Sequence, residues 1–159
     1  MALWGAGKGD IPVLKRLFAP SMFVILLLLL SASVSQAEIQ GRIRVIQASN
    51  VGSVIDSSLR DVHSELGSLF SFTSYRLLKD INLRLVGNQP VEIPVHGGRS
   101  LEITLAGEYR NLAELKIRLR REGMVILNTQ VRLASGRTIL IGGPRHGDGV
   151  IILALSANF

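Results

Sequence analysis

Residues Leu127 to Leu155 read LNTQVRLASGRTILIGGPRHGDGVIILAL. The stretch holds three strand-like runs: Leu127 to Val131, which alternates, and the apolar Thr138 to Ile141 and Val150 to Leu155. They are separated by Ala134-Ser135-Gly136-Arg137 and by a glycine-rich segment from Gly142 to Gly149. Apolar runs of four to eight residues bounded by Gly, Pro, Asn and Asp predict strands joined by turns. The glycine pairs Gly142-Gly143 and Gly147-Asp148-Gly149 are read as those turns.

Working backwards, the same texture recurs. Leu115, Ile117 and Leu119 alternate with Lys116, Arg118 and Arg120, which puts aliphatic side chains on one face and cations on the other. Leu101, Ile103 and Leu105 alternate, as do Val91, Ile93 and Val95. Pro94 has no amide hydrogen for a ladder, so its strand belongs at an edge or a bulge. Ile81, Leu83 and Leu85 form another run, with Lys79-Asp80 read as a break from an aromatic strand over Phe70 to Leu78. Gly41 to Ala48 is the first strand. Strand signals about every ten residues predict an antiparallel β-sandwich or meander.

One amphipathic helix is expected, over about residues 57–68. Asp56 or Ser57 supplies the cap, and Leu59, Val62, Leu66 and Leu69 form an apolar stripe. The fold class is therefore α+β, mostly β, with one short helix near the start of the domain.

The segment before this domain reads differently. Lys8, Lys15 and Arg16 precede the unbroken apolar run Met22 to Leu30, and Ser35-Gln36-Ala37 places small residues at a cleavage site. That is the pattern of a secretory signal peptide over residues 1–37, cut after Ala37. The alternative is that it is kept as an anchor. A single β-rich domain then spans residues 38–159. The whole sequence has no cysteine, unlike small extracellular domains that rely on disulfides. Together these features point to export into a bacterial periplasm or cell envelope.

No catalytic constellation stands out, so no enzyme is expected, and no motif calls for a cofactor or metal. His63, His96 and His146 sit at no metal-binding spacing. Asp56, Asp61 and Glu65 are accounted for by capping and the helix dipole. The candidate partner-binding residues are Lys116, Arg118, Arg120 and Arg121 on the basic strand, with Arg145 and His146 in the glycine segment. A formal net charge of +6 fits an anionic partner, including a membrane surface. Export and the lack of aromatics among the basic residues argue against nucleic acid.

Asn128-Thr129-Gln130-Val131, Gly136 and Thr138-Ile139-Leu140-Ile141-Gly142-Gly143 resemble a motif of the secretins, the ring-forming outer-membrane pores of secretion systems and type IV pili. In that family a strand and a Gly-x-Thr turn lead into a branched strand ending in Gly-Gly. The segment Pro144 to Gly149 departs from the family pattern. The resemblance implies a non-enzymatic envelope module, accessory to secretion or pilus assembly, that binds an envelope protein partner by a sheet edge or its basic face. Two alternatives follow from the residues. One is a small ligand-binding protein or hydrolase using Arg145, His146 and Asp148 in the Gly142–Gly149 segment. The other is a small outer-membrane β-barrel, suggested by the alternation of Ile151, Leu153, Leu155, Ala157 and Phe159.

Overall fold

The computed structural model describes residues 38–159. The signal-peptide reading of residues 1–37 lies outside the described residues. Eight strands follow in order: β1 (Glu38–Ser49), β2 (Ser74–Val86), β3 (Pro90–Val95), β4 (Arg99–Tyr109), β5 (Leu112–Arg121), β6 (Met124–Ala134), β7 (Thr138–His146) and β8 (Gly149–Asn158). They form two antiparallel sheets. Sheet A has the order β2-β1-β8-β7, and sheet B has the order β3-β4-β5-β6. The fold is an antiparallel sandwich wound as a meander, as the spacing of strand signals predicts.

Alternation explains the layers. Ile43 and Val45 of β1, and Leu153 and Leu155 of β8, share a buried cluster with Leu101, Ile103 and Leu105 of β4 and Leu115, Ile117 and Leu119 of β5. These aliphatic rows face each other between the sheets. A void of about 10 Å³ lies among them, too small for more than about one water.

Sheet A is covered on its other face too. Ile46, Ala48, Ile152 and Ala154 pack beneath Leu59, Val62 and Leu66. Each of those three covering side chains is fully buried, which contributes about 2 kcal/mol apiece. This second layer explains why β8 carries a continuous apolar run, Val150 to Leu155, where strands such as β4 and β5 alternate.

The covering segment is not one helix. Asp56 accepts a hydrogen bond from the Ser58 amide (3.0 Å) and caps a single 3-10 turn, Ser57–Leu59. A separate helix α1 then runs His63–Leu69. Val62, Leu59 and Leu66 point down as expected, but Leu69 is exposed. Leu66 and Leu69 belong to the same helix, and α1 buries only the first against sheet A, so the stripe expected from 57–68 loses its end. His63 is exposed as well.

Other expectations also change. Lys79-Asp80 does not break a strand, because β2 continues through both. Pairing shifts at Val45/Ile46 and leaves Leu78 as an extra residue, so the irregularity is a bulge. Phe70 to Thr73 precede the strand; Phe70 and Phe72 pack against the cluster under α1. Gly142-Gly143 lies inside β7, where the pairing to β8 shifts between Gly142 and Arg145. A Cβ at Gly142 would sit 3.2 Å from the Phe70 ring, and one at Gly143 would sit 3.0 Å from the Ile151 carbonyl oxygen. The pair is glycine because a ring and a backbone approach it closely. The Gly136 turn joins β6 to β7, which lie in opposite sheets, so it forms a corner between layers.

The membrane-barrel alternative fails on this architecture. The sheets do not close into a ring, and the outward face of sheet B carries Glu92, Glu102, Lys116, Arg118 and Arg120. A membrane barrel requires a closed wall and an apolar outer band.

Candidate functional site

Alternation on β5 puts Ala113, Leu115, Ile117 and Leu119 into the core. It therefore turns Lys116, Arg118 and Arg120 outward on one face. β5 is central in sheet B, flanked by β4 and β6, so these cations do not guard an edge. Register places Glu102 opposite Arg118 on β4 and Asn128 opposite it on β6. Glu102 is shared by Arg118 (3.2 Å) and Arg120 (3.3 Å). One carboxylate thus faces two guanidiniums, and Lys116 pairs with none of the described carboxylates. Arg120 Nε is buried without a hydrogen-bond partner. A shallow groove beside the strip is lined by Lys116, Arg118, Asn128, Thr129 and Gln130. Arg121 lies at the exposed end of β5, 3.9 Å from Glu122.

Arg145 and His146 lie elsewhere, at the end of β7 in sheet A. The Gly142–Gly149 segment is therefore strand up to His146, with Gly147-Asp148 as the turn into β8. His146 packs its ring edge-on against His96, with centroids 5.4 Å apart. Arg99 Nη1 is 2.8 Å from His146 Nδ1, and Arg99 Nη2 donates to the Arg145 carbonyl at 2.9 Å. An arginine nitrogen can only donate, so His146 Nδ1 accepts and the imidazole is neutral. Burial lowers the His146 pKa first, followed by the Arg99 charge and then His96.

The role of Arg99 has no signal in the local sequence. This residue opens β4, is only 7% exposed, and ties the β3–β4 hairpin to the end of β7. Arg44 was also missed. It is buried on the outer face of sheet A, and its Nη1 donates to Asp61 at 2.7 Å. The one signal available was a cation directly beside the apolar pair Val45-Ile46.

The six candidate residues thus fall into two groups, one on sheet B and one at the end of β7. Asp148 is exposed in the β7–β8 turn and makes no hydrogen bond to His146. The geometry does not assemble Arg145, His146 and Asp148 into an acid–base set, and His63 is on the far side of the chain order in α1. Among the described residues no three metal-ligating side chains converge.

No family model, curated protein or solved structure matches this chain.

Proposed function

We propose that this chain is a non-catalytic module of the bacterial cell envelope, exported by its first 37 residues, that docks an envelope protein through sheet B. The observation that carries this reading is the outward strip Lys116, Arg118 and Arg120, where a single carboxylate, Glu102, faces two guanidiniums. A fixed cationic strip on a rigid sheet steers and orients an anionic partner. The local resemblance to secretins supports an accessory role in secretion or pilus assembly.

The test is cross-linking in intact envelopes, comparing the native chain with Arg118→Glu/Arg120→Glu. The double variant is expected to lose a specific cross-linked partner while its circular dichroism and melting transition stay unchanged. An unchanged cross-linking pattern would overturn the reading. Cell fractionation checks the address directly, and secretion or pilus genes beside this one would support the accessory role.

A further inference from the structure

Among the described residues the sandwich has four edge strands, β2, β7, β3 and β6, and they are guarded unequally. On β3, Pro90 and Pro94 offer no amide hydrogens, and the Lys79 ammonium donates to the Pro94 carbonyl. β7 carries Pro144 and a register break. β2 carries Arg76, Lys79, Asp80 and Arg84. Prolines, bulges and charges are the devices that stop edges pairing with other chains. β6 is the least guarded. It runs eleven residues, Met124–Ala134, with no proline and Arg132 as its one charge, and its one bulge, at Ile126 near its start, leaves Leu127–Ala134 in regular register with β5.

The two faces beside this edge differ in chemistry. On the outer face the β6 edge adjoins the groove of Lys116, Arg118, Asn128 and Gln130. On the inner face Leu127 and Val131 stay half-buried, whereas Leu115, Ile117 and Leu119 on β5 are fully buried. Met124 and Val125 at the start of β6 are exposed at 66% and 50%. A strand added here would continue sheet B, setting alternate side chains over uncovered aliphatics and beside the cations.

We propose that the β6 edge accepts an extended partner strand that alternates apolar and acidic residues. This rests on the docking reading above and names its geometry and partner chemistry. A second copy fits poorly. β6 itself has no acidic residue to meet Lys116 and Arg118, and β3, which carries Glu92, is closed by its prolines.

The test is fluorescence anisotropy with the full chain and a labelled peptide of about eight residues, a common strand length, alternating valine with glutamate. Two controls replace glutamate by lysine or N-methylate alternate backbone amides, so the protein itself stays unaltered. Two or three exposed ion pairs predict binding about tenfold tighter for the glutamate peptide than for the lysine peptide. Raised salt narrows that gap, N-methylation abolishes binding, and Lys116→Glu/Arg118→Glu reverses the charge preference. Equal binding of the acidic and basic peptides, or retained binding of the N-methylated one, would overturn the proposal. So would sedimentation showing a dimer that the acidic peptide cannot disrupt. Should the peptide fail while Arg118→Glu/Arg120→Glu still removes the envelope partner, strand pairing falls and the broader docking reading stands.

Discussion

Arg99 Nη1 and His146 Nδ1 lie 2.8 Å apart and tie the β3–β4 hairpin of sheet B to the end of β7 in sheet A. The contact needs a neutral imidazole, because a protonated ring has no lone pair to offer the guanidinium. His146 faces Arg99 and His96, and its pKa is lowered by burial, by Arg99 and by His96 in that order. As pH falls, the unfolded chain takes up the proton first, near the ordinary histidine value of about 6.5. The native state resists protonation, so stability falls below that pH and levels off once native His146 titrates. Urea unfolding between pH 8 and pH 5 checks this, and the His146→Gln variant should show a shallower decline. Identical slopes for the two proteins would refute it.

The Arg44–Asp61 pair makes an asymmetric prediction. The Arg44 side chain is 2% exposed and that of Asp61 is 58% exposed. Asp61→Asn leaves a buried guanidinium without its counter-charge and is expected to cost about 2 kcal/mol, below the usual range for buried pairs because water reaches Asp61. Arg44→Met removes the charge itself and should cost less. The Asp61 pKa is lowered, chiefly by the hydrogen bond from Arg44. This stabilisation is therefore present above the ordinary carboxylate range and is lost on acidification through the lowered value. Denaturant midpoints of the two variants decide the order.

The broken helical segment predicts unequal leucines. Leu66 is fully buried and Leu69 is 65% exposed. Leu66→Ala should cost about 3 kcal/mol through lost burial and a cavity, and Leu69→Ser should stay within about 0.5 kcal/mol. Comparable losses from both would contradict the burial of only one face of α1.

Much of this was legible, and the failures share a cause. Strands β4 and β5 were read correctly because one face of each is buried and the other wet, which imposes a period of two. Leu78 defeated the reading because a bulge adds a residue and shifts the phase. Gly142-Gly143 looked like a turn because glycine marks both turns and close approaches, and only the distant Phe70 ring distinguishes them. Arg99 was invisible for a similar reason. Its partners Arg145 and His146 are more than forty residues away in the chain, and no local pattern records them. The basic strip was legible as a face, but its central position in sheet B was not, since strand order depends on long-range pairing.

Gly149 should tolerate no side chain. A Cβ there would lie 1.9 Å from the Ala48 carbonyl oxygen. Gly149→Ala must push β8 off β1 and should cost upwards of about 3 kcal/mol. Gly107→Ala meets nothing within 4 Å and should be close to neutral. Thermal melts of the two variants make the comparison.

The guard on β3 can be removed. Pro94→Thr restores an amide hydrogen on that edge, and Lys79→Glu removes the ammonium held over it. The double variant is expected to self-associate with rising concentration, measured by light scattering, while the native chain does not.

The pairing of β1 with β8, from Gln40↔Asn158 to Ser49↔Gly149, governs the order of assembly. Sheet B is built from consecutive hairpins and can zip as soon as its residues are available. The centre of sheet A cannot form until β8 arrives, because β1 must wait for a partner about a hundred positions away. Until then Ile43, Val45 and Ile46 sit on a strand with one side unfilled, which is the aggregation-prone species of such a topology. A chain threaded across a membrane from its amino end would carry that open strand through the whole passage, so the steps that shield β1 until β8 emerges set the yield of folded protein.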